Sequence, residues 1–291
     1  MVTLGPSRYA AVAFAVTLLI AWVAPGQARA QQPPPRFAVS DCPFEGGAWL
    51  DSAGIECGYL DVPERRDVRG SRRLRIAVAV VRSTSQSPQP DPVVFLTGGP
   101  GYSTLQNTRR LVSGSLWRSL RAERDLVFFD QRGTGYSDPE FCLELNEALR
   151  DVLFQGSTAA ERHRRVQAAM TECRDLMHAA GVDLGAYHSR SIAGDLADLR
   201  VALGYDEWNL YGVSYGTRLA LVTMRDAPQG IRSAVLSATI PPNAAEQPLT
   251  NYQQALEEVF TRCAADHDCA TEYPDLSDDS TRCWTNSGKN R

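Results

Sequence analysis

Several things this chain has little of narrow what it can be. Histidine is scarce, four in 291 residues. Positive charge is in deficit: the net charge is −4, and it becomes more negative once a leader carrying Arg8 and Arg29 is removed. That balance leaves no electrostatic footprint for nucleic acid or an anionic membrane. Long hydrophobic runs are absent. The longest, Ala10 to Ala24, falls short of the roughly 20 residues a spanning helix needs, so no stable membrane anchor is expected. No pair of cysteines has Cys-x2-Cys spacing and only His267 lies among them, which argues against a structural zinc site, and no metal is expected. No cysteine stands near Ala30, which excludes a lipoprotein signal, and no internal repeat occurs.

What is present begins with a leader. Arg8, the apolar run and the small-residue site Ala28-Arg29-Ala30 follow in the order of a secretory signal peptide, predicted over residues 1–30 with cleavage after Ala30. Seven cysteines suit an oxidising compartment, periplasmic or extracellular. They fall as near neighbours, and neighbours close short loops, so the expected disulfides are Cys42 with Cys57, Cys142 with Cys173 and Cys263 with Cys269, leaving Cys283 free. Sequence alone does not fix that connectivity.

Residues 31–40, with Gln31-Gln32-Pro33-Pro34-Pro35, read as an extended lead-in with no core to bury. Beyond them strands and helices alternate. Tyr59 to Pro63 and Leu74 to Val81 read as strands joined by the basic cluster Arg65 to Arg73, which Asp67, Gly70 and Ser71 mark as a solvated hairpin tip. Val93 to Leu96 and Leu126 to Phe129 are short continuous apolar runs, the pattern of strands buried on both faces. Trp208 to Val213 and Ser233 to Ser237 add two more. Ser191 to Leu203 is a helix with Ile192, Leu196, Leu199 and Leu203 on one face and Gly204 as its stop. Strands separated by helices predict an α/β fold with a mostly parallel sheet over residues 31–240. From Pro241 to residue 291 the character changes: a new helix is expected, capped by Thr250 or Asn251 and striped by Tyr252, Leu256, Val259 and Phe260, followed by an irregular tail.

Three segments carry chemistry. Gly212-Val213-Ser214-Tyr215-Gly216 lies between a strand and a helix, the context of a nucleophile elbow with Ser214 as its serine. Both glycines stand where a side chain would collide with the neighbouring strand and helix. Phe95 to Gly101 places Gly98 and Gly99 at a strand end, where backbone N–H groups can meet a developing oxyanion, with the Tyr215 N–H as a second donor. Each donor lost would cost on the order of 3 kcal/mol in the barrier. Phe128 to Ser137 follows a buried strand directly; Asp130 and Arg132 are read as pairing locally to fix a loop turned by Gly133 and Gly135.

In their order and spacing, Gly98-Gly99-Pro100-Gly101, Asp130 to Ser137 and Gly212 to Thr217 resemble the proline iminopeptidase and tripeptidyl aminopeptidase family of α/β-hydrolases. The run Asp195 to Leu221 is similar to that family's approach to its nucleophile, and the cysteines resemble those of its secreted bacterial members. The likeness covers roughly residues 40–275. It implies an α/β-hydrolase fold with a helical cap that chooses the substrate. The implied activity is that of a serine hydrolase removing residues from peptide N-termini, acting on a peptide or small amide or ester with no cofactor. Thr97 stands where proline iminopeptidases usually have histidine, so the resemblance carries no strict proline preference.

A serine hydroxyl is a weak nucleophile without a base. In the family the acid and the histidine come after the cap. Here the only histidine after Ser214 is His267, between Cys263 and Cys269, a poor place for a base that must reach the serine. His163, His178 and His188 precede the serine, against the fold's chain order. The expectation is therefore a chain truncated inside its cap, with the last strands of the sheet missing and negligible activity on its own. An esterase is the alternative within enzymes, and a non-catalytic remnant or binding module the alternative outside them.

Overall fold

The computed structural model describes residues 34–142, 145, 147, 149–151, 158–243 and 249–287. The predicted leader lies outside the described residues, and so does the side chain of Cys283.

Seven strands among the described residues form one sheet in the order β1-β2-β3-β5-β4-β6-β7. They are β1 (Arg36–Val39), β2 (Ile55–Pro63), β3 (Arg73–Val81), β4 (Gln89–Leu96), β5 (Arg124–Phe129), β6 (Trp208–Val213) and β7 (Ile231–Ser237). Pairing is antiparallel from β1 through β3 to β5, and parallel among β5, β4, β6 and β7. The exchange of β4 and β5 in that order brings the carboxyl ends of β4 and β6 side by side.

The apolar runs predict this burial because successive strand residues face opposite sides. In β3, Leu74, Ile76, Val78 and Val80 join one core while Ala77, Ala79 and Val81 join the other. Helices α5 (Ser189–Ala202) and α6 (Tyr215–Asp226) cover the first face with Ile192, Leu196, Leu199, Leu219 and Ala220. Helices α2 (Thr108–Ser113) and α3 (Ser115–Arg121) cover the second with Val112 and Trp117. The Trp117 ring lies edge-on to Phe95, Phe128 and Tyr211 at centroid distances of 4.9, 5.5 and 5.3 Å. A short helix, α1 (Ala48–Ser52), precedes β2. The α/β class with a mostly parallel sheet holds, and so do the strand positions: β6 has the expected bounds, β3 begins one residue earlier, and β2, β4, β5 and β7 begin two to four residues earlier than their apolar runs.

Four readings change. The lead-in is not without a partner: Arg36–Val39 pairs with β2, and Phe37 packs against the core. Gly58 makes room for it, since a Cβ there would fall 2.3 Å from the Ala38 carbonyl oxygen. The basic cluster turns where expected, with Gly70 at φ +74°, but its arginines reach back into the fold. Arg65 bonds Asp183, and Arg66 bonds Asp195 and Asp198. A helix absent from the reading above, α4 (Ala159–Ala179), starts at Thr158, whose hydroxyl accepts from the Glu161 N–H. Finally, the tail is helical. After α7 (Leu249–Ala265) and α8 (His267–Glu272) comes α9 (Leu276–Ser287), with Asp278 and Asp279 in its first turn where the helix dipole favours acids. Because α7 is already helical at Leu249, neither Thr250 nor Asn251 is its cap.

The structure joins Cys42 to Cys57, Cys142 to Cys173 and Cys263 to Cys269. No helix among the described residues is long and apolar enough to cross a membrane.

Candidate active site

Ser214 sits between β6 and α6 with φ 54° and ψ −123°, a conformation that L-residues rarely adopt and that tight turns at functional sites hold under strain. Its neighbours explain how the turn persists. A Cβ on Gly212 would meet the Gly216 carbonyl oxygen at 2.7 Å, and one on Gly216 would meet the Leu96 carbonyl oxygen at 1.8 Å. Only backbone fits at either position, so the Gly-x-Ser-x-Gly spacing is a consequence of packing the elbow against the end of β4. The Ser214 N–H donates to the Ser237 carbonyl at 2.9 Å. Its own carbonyl accepts from the Thr217 N–H at 2.9 Å and the Thr217 hydroxyl at 2.6 Å. The same fully buried hydroxyl accepts from the Ile240 N–H at 2.8 Å, linking the elbow to the segment after β7.

The glycines after β4 come to the same place. A Cβ at Gly98 would lie 3.1 Å from the Ser214 Cβ and 3.6 Å from its Oγ. Gly99 and Gly101 take φ of 109° and 100°, so the chain from Gly98 to Gly101 turns in a way other residues resist. Tyr215 opens α6, and an N–H in the first turn has no carbonyl of its own helix to bond. Its side-chain hydroxyl lies 2.9 Å from the Ser189 Oγ at the start of α5. Ser214, Gly98 and Tyr215 are therefore brought together, with Gly99 one residue further along the turn.

Asp130 and Arg132 each help fix a loop, but they do not pair with each other. Asp130, fully buried, accepts from the N–H groups of Thr104, Leu105 and Tyr136 and from the Ser103 hydroxyl. Burial pushes its carboxyl above the usual range against the pull of those donors. Arg132 crosses to α5, where its Nε and Nη2 bond the two Asp195 oxygens at 2.8 and 2.6 Å. It also donates to the carbonyls of Glu64 and Ala186. Neither Asp195 nor Arg66 was singled out as a partner from sequence. The only signal was an aspartate on the apolar approach to the serine.

The four histidines lie on other elements. His163 and His178 are on α4, His188 caps α5 by accepting the Ser191 N–H on its ring, and His267 is the exposed first residue of α8. Among the described residues no cluster of three or more His, Cys, Asp or Glu could hold a metal ion.

A parallel sheet carrying a strained serine turn at one strand end, with a glycine turn from the adjacent strand against it, is the arrangement of α/β-hydrolases. The family model described as alpha/beta hydrolase fold matches residues 91–278, and the chain belongs to that family. Among its relatives is the tripeptidyl aminopeptidase of Streptomyces coelicolor, 30% identical over 199 residues that make up 67% of this chain and 37% of that protein. Another is the serine protease Hip1 of Mycobacterium tuberculosis, 28% identical over 228 residues, 74% of this chain and 43% of that protein. The solved proline iminopeptidase of Mycobacterium smegmatis aligns with a TM-score of 0.40 at 15% identity, covering 75% of this chain and 56% of that one. The chain spans less than half the length of the two curated relatives. The family expected from the motifs, α/β-hydrolases of the aminopeptidase kind, is the one that the family model and the curated relatives support.

Proposed function

We propose that this chain is the nucleophile-bearing part of an exported serine hydrolase that removes residues from peptide N-termini. Ser214 would attack the scissile carbonyl, passing its proton to a base, while the N–H groups of Gly98, Gly99 and Tyr215 stabilise the oxyanion. The observation that carries this reading is the Ser214 backbone at φ 54° with Gly98 packed against its side chain. Nothing in the packing of a plain strand-to-helix connection calls for such a turn, and its effect is to hold the hydroxyl at the strand end. The names of the relatives favour peptides as the substrate class, and the disulfides favour an oxidising compartment. Helices α7 to α9, with residues 241–291 as a unit, would begin the cap that selects substrate.

Among the described residues the four histidines stand on α4, at the cap of α5 and at the start of α8, so turnover by residues 31–291 alone is expected to be negligible, and His267→Ala should not change it. The test is hydrolysis of a tripeptidyl anilide beside a simple ester by this chain joined to the C-terminal segment of the Streptomyces coelicolor relative. Anilide turnover that Ser214→Ala abolishes is the expected result. Ester turnover alone would move the reading to an esterase. Turnover that survives Ser214→Ala would overturn it, as would hydrolysis by residues 31–291 that His267→Ala removes.

A further inference from the structure

The segment Asp130 to Ser137 has no part in the reaction just proposed, yet Asp130, Gln131, Arg132 and Ser137 are all buried. Its centre is the Asp130 carboxylate. One oxygen accepts the Thr104 N–H at 2.6 Å and the Leu105 N–H at 3.0 Å, and the other accepts the Ser103 hydroxyl at 2.8 Å and the Tyr136 N–H at 3.0 Å. Three of those four donors belong to residues 103–105, which continue directly from the glycine turn beside Ser214. Gly135 closes over the carboxylate with backbone alone: a Cβ there would lie 2.0 Å from the Asp130 Oδ2 and 2.6 Å from the Ser103 Oγ. From behind, the Asp130 N–H donates to the Ala77 carbonyl at 3.0 Å. The Ser137 hydroxyl donates to the Asp130 carbonyl at 2.7 Å and accepts from the Ala77 N–H at 2.8 Å. The Asp130 main chain is thus tied to β3 on one side, while its carboxylate grips, on the other, the loop that carries Gly98 to Gly101.

We propose that Asp130 is a positioning residue, whose carboxylate gathers the N–H groups of residues 104–105 and so fixes the path of Gly98 to Ser103 against Ser214. The charge is what makes it suited to this. Hydrogen bonds to an ionised acceptor are about twice as strong as neutral ones, and a carboxylate can accept from four donors at once where an amide would turn N–H groups toward N–H groups. Burial raises the carboxyl's pKa, so the ionised form costs stability here. A loop that needed only to be packed would be better served by a neutral side chain. The oxyanion role of the loop rests on the reading of Ser214 given above, but the grip on its backbone does not.

Native-state hydrogen exchange of residues 31–291 carrying Asp130→Asn separates the two. Exchange over 98–105 should rise about tenfold, the scale of one charge-assisted hydrogen bond. Over 74–81 and 215–226 it should be unchanged. Unchanged exchange over 98–105 in a folded variant would overturn the proposal, as would an equal rise in all three segments, which marks a merely structural loss. Should Asp130→Asn not fold, Ser103→Ala, which removes one of the four donors, should raise exchange over 98–105 alone by a smaller factor. No rise there would be equally fatal. In the extended chain Asp130→Asn should lower kcat for the anilide with KM unchanged, because the loop would meet the oxyanion and not the bound substrate. If the parent extended chain is inert, the nucleophile reading fails while the exchange result still decides the role of Asp130.

Discussion

At the amino ends of the parallel strands the buried carboxylate of Asp91 sits among side chains, whereas at the carboxyl ends that of Asp130 sits among backbone donors. Asp91 receives the Asn209 amide at 2.7 Å and the Arg124 guanidinium at 3.2 Å, and Arg232 bonds it as well. Burial presses its pKa up, but the Asn209, Arg232 and Arg124 hydrogen bonds win and hold it at about 2. For Asp130 burial wins and the pKa rises. One carboxylate is neutralised by partners that reach it on flexible stems and join the starts of β4, β5, β6 and β7. The other is held by three backbone N–H groups and the Ser103 hydroxyl. The amino rim is built to be stable, and the carboxyl rim is built to be placed.

Four changes would break or sharpen that contrast. The largest effect belongs to Gly216→Val at the carboxyl rim. With a Cβ 1.8 Å from the Leu96 carbonyl, it should remove more than about 4 kcal/mol and leave no cooperative unfolding transition in denaturant. Asp195→Ala comes next. It strands the fully buried Arg132 guanidinium, and breaking a buried pair from one side costs roughly 3–5 kcal/mol, readable as a lower urea midpoint. Third is acid stability. A carboxyl depressed from 3.8 to about 2 contributes stability above pH 4 that is lost as pH falls toward 2, about 2 kcal/mol for a shift of this size. Asp91→Asn should flatten the stability curve between those values. Asp130 has the opposite sign: its raised pKa makes its contribution fall as pH rises through that pKa. Equal acid slopes in the parent and Asp91→Asn would undo the comparison. The smallest effect is that of Arg232→Gln. Its side chain is 51% exposed, and a half-exposed ion pair is worth less than about 1 kcal/mol in thermal unfolding.

The legible parts of this molecule are those whose signal is local. Val93 to Leu96, Leu126 to Phe129 and Trp208 to Val213 announce themselves by apolar runs, and Gly212 and Gly216 by bracketing a serine at a strand end. What escaped depends on partners far along the chain. Arg36–Val39 becomes a strand only because β2 offers it an edge. Arg66 and Arg132 meet on Asp195 across more than a hundred and about sixty residues respectively. Asp130 bonds mainly backbone, which has no residue identity to read. The α4 helix was legible in principle, since Thr158 and Glu161 have the spacing of a capping box. The stripe of α7 shows the reverse limit. Its periodicity predicts the helix, but Tyr252, Leu256 and Val259 stand 66%, 43% and 54% exposed, because a period says which residues share a face and not what covers it.

The backbone of Ser214 has a bearing on natural history as well as on chemistry. Holding a residue with a Cβ at φ 54° costs on the order of 1 kcal/mol or more that a glycine would be spared. A lineage living on stability alone, with no use for the hydroxyl, would drift toward glycine at this one position and fold better for it. At Ser214, then, glycine would fold more easily and serine keeps a hydroxyl at the strand end, so stability and the hydroxyl pull this one position in opposite directions.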